Sequence, residues 1–586
     1  MPRMATPTNR RRAPKRMTVS ESDQGAALKA IFDKAWEFRL DCSPLYATAV
    51  GDGRADDRLG DVTFEAEQRE LEAERGFLKE ARAIDPESLS REDAISRAIF
   101  IRLTEDGIRS TELGGGLLPI TQLSGFHTSF PELPKRMPTG SETELANYCS
   151  RLEDFGRYTD EHIARMEKGL AEGFTLPKVV AEGLPDGAKA QLTEDFKGTR
   201  WYEPFKTAAD RMDAARAEAL AARGEAAIAE VVIPAYQRFH TFLVDKYLPG
   251  CRDTLGASEL PNGKDYYAHQ VRHYTTLDLT PEQIHEKGLA EVKRIGAEMR
   301  EVIAEVGFDG DFAAFCEHLR TDPKFYPKSK KELMAEVAYI LKIMDGKLPE
   351  LFSRLPRMPY GICEVPDYLA PRSTTAYYMR PAGDGTRAGM YYVNTYDLPS
   401  RPLFELEALS LHEAVPGHHL QIALQQELDD LPMFRRFSGF TSYIEGWALY
   451  TERLGLECGF YTDPYANFGR LGYEMWRACR LVVDTGLHAL GWEREQAVQF
   501  MLEHSALTEH NIRAEVDRYI AWPAQALSYK MGELKIRELR ARSEERLGRD
   551  FDIREFHDVV LRSGAVPLDL LEQIVDTWLA EKQEAA

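Results

Sequence analysis

The sequence predicts a mainly α-helical protein with one small β-sheet, and three observations carry that reading. Successive stretches repeat apolar residues at helical spacing. A single region is rich in β-branched and aromatic residues. An ordinary apolar share, 43% hydrophobic against 29% charged, excludes a disordered chain. At 586 residues the length suits a few domains or one large composite fold.

In chain order, Arg10, Arg11, Arg12, Lys15 and Arg16 form a basic head. A secretory signal would follow it with about 7–15 apolar residues, but Thr18 to Gln24 are mostly polar, so a disordered tail over 1–22 is expected. Leu28, Ile31, Phe32, Trp36 and Leu40 then mark a helix over Gln24 to Leu40, and the pattern continues over Phe64 to Ile84 and Arg91 to Ile108. Glu112 to Pro138 holds a glycine triplet and four prolines and reads as a long ordered loop anchored by Ile120, Leu123, Phe126 and Phe130.

Helices are predicted again from Glu142 to about Gly173 and from Tyr202 to Tyr247, the latter stopping at Pro249-Gly250. Thr280 caps the next, with Pro281 in its first turn and Glu282 at the positive end of the dipole. Further helical stretches run from about Gln283 to Val306 and from Lys330 to Met344. Thr374 to Met379 and Met390 to Thr395 read as a hairpin or two strands of a small sheet, joined by a turn-rich segment from Pro381 to Gly389. Residues 23–270 are expected to form an N-terminal helical part of a cleft, and 271–586 a catalytic helical part with the small sheet and metal-binding helices.

Charge and cysteine usage exclude several functions. With 74 Lys and Arg against 95 Asp and Glu, the net charge of −21 repels phosphate backbones, so nucleic acid is not the expected partner. No stretch approaches the ~18 apolar residues of a membrane span. Seven scattered cysteines without a C-x-x-C pair read as buried thiols of a cytoplasmic protein.

The chemistry concentrates in Leu411-His412-Glu413-Ala414-Val415-Pro416-Gly417-His418-His419. Zinc hydrolases place two histidines one helical turn apart, H-E-x-x-H, with the Glu beside the first as general base. Here Pro416 stands where the second histidine belongs. On a regular helix His419 lies about 20° from His412 but roughly 10 Å up the axis, too far to share one ion. Pro416 and Gly417 allow a bulge that absorbs two residues and brings His418 into place, with His419 as the alternative.

Glu445, beside the small Gly446 on a helix from Thr441, is the expected third ligand of one zinc ion, and Glu452 its outer support. Glu413 is the expected general base. Arg480, Asp484 and His488 form a polar stripe at i, i+4 and i+8, read either as a structural Arg–Asp pair or as placing His488 at the cleft as a catalytic group that contacts substrate or the oxyanion. Tyr529 suits oxyanion support, and Arg480, Arg518, Tyr392 and Asn394 are expected substrate contacts.

The runs at His412 to Gln421, Glu445 to Tyr450, Val483 to His488 and Pro523 to Gly532 resemble signatures of the bacterial domain-of-unknown-function family 885. That family resembles distant relatives of the helical zinc peptidases that include angiotensin-converting enzyme, thimet oligopeptidase and the Taq-type carboxypeptidases. The resemblance implies a zincin-like metallopeptidase fold and aligns Gly417-His418 with the end of the peptidase motif. It also implies an edge strand over Tyr391 to Thr395 that holds an extended peptide, and a Gly where this chain has Ala524. The expected activity is zinc-dependent cleavage of short peptides. A metal-dependent hydrolase of a non-peptide amide or ester, or a silent peptide-binding protein of the same fold, is the alternative.

Overall fold

The computed structural model describes residues 23–585 except 368, 369, 383, 384 and 386; the basic tail predicted over 1–22 lies outside the described residues. The chain is mainly helical with a three-stranded sheet. The predicted N-terminal helices form at α1 (Asp23–Cys42) and α2 (Arg91–Glu112), with another over Phe64–Ala83. The segment read as a long loop folds into short turns. Ile120, Phe126 and Phe130 anchor it, whereas Leu123 is exposed.

After α3 (Glu142–Glu172), the helix expected from Tyr202 starts instead at Ala214, where the Asp213 carboxylate accepts from the Ala215 and Arg216 N–H groups. Before it, Pro204 opens only a single turn. α4 (Pro281–Glu305) begins with the capping box expected of Thr280, completed by Gln283, and α5 (Lys330–Leu351) follows.

The sheet has β1 (Tyr360–Glu364), β2 (Ala376–Met379) and β3 (Gly389–Val393) in the order β1-β3-β2. The expected pair is present as β2 antiparallel to β3, from Ala376 opposite Val393 to Met379 opposite Met390. β1, which the sequence reading missed, pairs parallel with β3 on its other side. β3 is therefore central, and the expectation of an edge strand at Tyr391 to Thr395 is corrected: its main-chain groups are already used on both sides.

The C-terminal half supplies α6 (Leu406–Glu413), α7 (His418–Gln426), α8 (Thr441–Leu454), α9 (Pro464–His488), α10 (Glu509–Ala521) and α11 (Ser528–Leu547). One buried cluster joins α3 and α4 to α9 and α10 through residues such as Phe155, Met299, Met475 and Val516. Another joins α1, α5 and the sheet to α6 and α8 through Phe32, Leu341, Tyr391, Leu411 and Trp447. Both clusters draw on residues either side of 270. Among the described residues, no helix is long and apolar enough to cross a membrane.

Burial fixes the charge of several core groups. His127 and His488 are pushed down to about 4, and His162 and His557 to about 3. An unfolded histidine titrates near about 6.5. Between those values the unfolded chain binds more protons, so stability from these four is full above about pH 6.5 and is lost as pH falls toward 4. Burial pushes Asp484 and Glu405 up to about 7, which acts in the opposite sense over the same range. Four histidines outweigh two carboxyls with comparable shifts. The melting temperature is expected to fall steadily between pH 6.5 and 4.5 in scanning calorimetry; a rise would contradict this assignment.

Candidate metal centre

The site begins where a helix is made to stop. Pro416 has no N–H to donate, and α6 ends at Glu413. The Val415–Pro416 peptide is cis. The chain then rejoins helical geometry. Gly417 N–H donates to the Leu411 carbonyl at 3.0 Å, a span of six residues where a regular helix spans four. His419 N–H donates to the Ala414 carbonyl at 3.0 Å. Two residues are thus absorbed between His412 and His418. Gly417 is required for space, because a Cβ there would lie 1.9 Å from the His412 carbonyl oxygen. Trp447 Nε1 pins the bulge by donating to the Pro416 carbonyl at 2.9 Å, and Thr451 Oγ1 donates to that of Leu411 at 3.2 Å.

α8 brings the acids. It crosses α11 so closely that a Cβ on Gly446 would meet Gly532 Cα at 2.4 Å, and one on Gly532 would meet the Ser442 carbonyl at 1.8 Å. At this crossing Glu445 Oε2 lies 3.4 Å from His412 Nε2 and 3.6 Å from His418 Nε2. The two imidazole rings stand nearly perpendicular with centroids 4.7 Å apart. The ligand atoms of all three residues fall within 4.8 Å of one another, and among the described residues no other group of His, Cys, Asp and Glu meets that condition.

These distances suit a metal better than direct hydrogen bonds. N–H···O bonds fall at about 2.7–3.2 Å. Two ligand atoms about 2.0–2.1 Å from a tetrahedral zinc stand roughly 3.4 Å apart. Glu445 Oε2 and His418 Nδ1 are buried without a hydrogen-bond partner. The residues therefore fit one ion with three protein ligands.

The electrostatics favour positive charge here. His412 Nδ1 donates to Glu452 Oε1 at 2.7 Å, one α8 turn-pair beyond Glu445. Burial works against a charged His412, but the neighbouring carboxylates of Glu445 and Glu452 outweigh it and push the group up to about 9. Burial alone would raise Glu445, yet His418 and His412 hold its carboxyl well below the usual range. Glu413, half-buried at the end of α6, adds a third carboxylate whose charge reaches His412.

His419 turns away from the triad. Its Nδ1 accepts from Tyr378 at 2.8 Å and its Nε2 donates to the Met358 carbonyl at 3.0 Å, tying α7 to the sheet. His488 also lies outside the constellation. Its Nδ1 accepts from Ala257 N–H at 3.0 Å and its Nε2 donates to the Tyr519 carbonyl at 2.9 Å. Both nitrogens serve main chain, which corrects its expected place at the cleft. The alternative reading, an Arg480–Asp484 pair, is not what the structure shows either: Asp484 accepts from Tyr267 at 2.7 Å and from Ala524 N–H at 3.1 Å. Ala524 sits at φ 66°, a backbone region that favours glycine.

Arg480 stacks over Tyr529 at 4.4 Å and bonds Tyr519 and Glu515; Arg518 bonds Gln525 at 2.9 Å. Next to Tyr529, the buried Lys530 lies 2.9 Å from Glu474 of α9 and 3.0 Å from Glu291 of α4, fixing α11 between them. Tyr392 stacks on Tyr377 at 4.7 Å in the sheet. Asn394 is fully buried and donates to the carbonyls of Ala370, Ser373 and Thr374, so its amide is committed to the fold and its expected substrate contact is corrected. Sequence reasoning missed Arg477, whose guanidinium lies 3.7 Å from Glu452. Its position three residues before Arg480 on the same helix was the available signal.

Comparison with known proteins adds a family and a fold. The family described as "Bacterial protein of unknown function (DUF885)" matches residues 44–575. A crystal structure from Colwellia psychrerythraea, called a "putative lipoprotein", is 30% identical over 96% of this chain and 100% of its own, with a TM-score of 0.90. A second such protein "of unknown function", from Shewanella oneidensis, is 17% identical over 93% of this chain and 99% of its own, with a TM-score of 0.75. No curated protein matches.

Proposed function

The chain belongs to the DUF885 family of bacterial proteins, and we propose that it is a zincin-like, zinc-dependent hydrolase that cuts amide bonds of short peptides. The observation that carries this reading is the convergence of His412, His418 and Glu445 beside Glu413, with Glu445 Oε2 unbonded among the imidazoles. Three protein ligands of these types, with one position left over, are the set of a catalytic zinc; structural sites use all four. Bound there, zinc supplies Lewis-acid polarisation of a carbonyl and of water.

The chain's own groups do the rest. Glu413 accepts the proton of the attacking water and returns it to the leaving amine. Tyr529 donates a hydrogen bond to the developing oxyanion. Glu452 holds the His412 ring with Nε2 facing the ligand set. His412 and His418 are 4% and 9% exposed, a degree of burial that favours short, flexible substrates over folded proteins. Seven free cysteines favour a reducing compartment, and we place the protein in the cytoplasm.

The test is a short-peptide library read by mass spectrometry. Zinc-loaded protein is expected to cleave internal or terminal amide bonds, to stop on chelation and to resume when zinc returns. Turnover of esters or non-peptide amides alone, or metal binding without turnover, would overturn the peptidase reading.

A further inference from the structure

Between α9, α10 and α11 lies an excess of positive charge that the proposed chemistry leaves unused. The Arg480 side chain is 3% exposed. It is held between the rings of Trp476 and Tyr529, each 4.4 Å from its guanidinium carbon. Its Nε donates to the Tyr519 hydroxyl at 3.0 Å and its Nη2 to Glu515 Oε2 at 3.1 Å. Its Nη1 is buried with no partner. A buried guanidinium N–H left unpaired costs free energy, more so because the group is charged.

Glu515 is shared. Its other oxygen lies 3.4 Å from Arg518 Nη1, a long contact, while Arg518 Nη2 donates to Gln525 at 2.9 Å. The Tyr519 hydroxyl is saturated: it accepts from Trp476 at 3.0 Å and from Arg480, and donates to Glu515 at 2.8 Å. Two fixed guanidinium charges therefore face one carboxylate. Arg518 is 20% exposed and Tyr529 is half-buried, so the cluster opens on the Tyr529 side.

Its position ties it to the triad. One turn back on α9, Arg477 reaches Glu452, which holds His412. One turn along α11 from Tyr529, Gly532 makes the crossing beside Glu445. Along α9 and α11 the charge excess thus sits about one helical turn, roughly 5 Å, from the points where those helices touch α8, the helix that carries Glu445.

We propose that Arg518 and Arg480 form a subsite for a carboxylate carried by the substrate close to the bond that is cut. Guanidinium matches a carboxylate with paired N–H donors, and the ring-stacked Arg480 is already oriented. The carboxylate comes from the peptide's own C-terminus or from an acidic side chain; the chemistry of recognition is the same. This inference rests on the hydrolase reading above.

The test compares kcat/KM for matched short peptides on the zinc-loaded full chain. One pair differs as free acid against C-terminal amide; a second, amidated throughout, differs as Glu against Gln beside the scissile bond. One of these pairs is expected to favour the carboxylate about 30- to 100-fold, as a charge-assisted contact commonly does. Preference in the first identifies the terminus, and in the second a side chain. Arg518→Gln is expected to bring the ratio near one, and Arg518→Lys to restore part of it, with unchanged circular dichroism and zinc content. Equal rates within both pairs, or an unchanged ratio in Arg518→Gln, would overturn the subsite. If no peptide is turned over, the hydrolase reading fails separately. The same pairs, fluorescently labelled and titrated onto Glu413→Gln, still decide whether a carboxylate tightens binding.

Discussion

Replacing Glu413 with Gln is expected to lower kcat for peptide cleavage by about 10²–10⁴-fold, the usual contribution of a positioned general base. The substitution keeps size and shape but removes the proton acceptor. Glu413 is outside the ligand set formed by His412, His418 and Glu445, so the zinc content is expected to stay that of wild type. KM is expected to change little, because the interaction lost is one made in the transition state. Steady-state kinetics with parallel metal analysis checks both. A variant that keeps wild-type kcat would remove Glu413 from the chemistry.

Loss of metal is expected to follow a graded order. His418→Ala removes one of three protein ligands and leaves Glu445, a carboxylate with a buried unpartnered oxygen, facing a single imidazole. Its zinc affinity is expected to fall by more than the 10–100-fold that an outer-shell partner commonly contributes. Glu452→Ala leaves all three ligands but frees the His412 ring, and is expected to fall within that 10–100-fold range. His419→Ala breaks contacts to Tyr378 and Met358 and touches no ligand, so its affinity is expected to match wild type. Competition with a zinc-sensitive dye ranks the three.

The triad could be read in the sequence because its parts are local. Bulge geometry follows from Pro416 and Gly417, two residues whose backbone limits are intrinsic. The choice of Glu445 follows from Gly446, whose missing side chain announces a close helix crossing. His488 and Asp484 were harder, because what fixes them comes from far along the chain: Ala257, Tyr267, Tyr519 and Ala524. A polar stripe on an apolar helix looks the same whether it meets substrate or distant main chain.

β3 shows the same limit. Its own residues mark a strand, but whether it is an edge or central depends on β1, a five-residue segment earlier in the chain with no alternating burial. Asn394 likewise reads as a free amide until the carbonyls of the Ala370 to Thr374 turn fold around it. The Gly suggested at Ala524 has a local physical reason, a positive φ, which no periodicity in the sequence reveals.

Elemental analysis of purified wild type beside His412→Ala, His418→Ala and His419→Ala tests the metal centre most directly. About one equivalent of zinc is expected in wild type and His419→Ala, and none in His412→Ala or His418→Ala. Zinc kept by His418→Ala but lost by His419→Ala would reassign the ligand. No metal in the wild-type protein, even after zinc is added back, would contradict the metal centre and the hydrolase built on it.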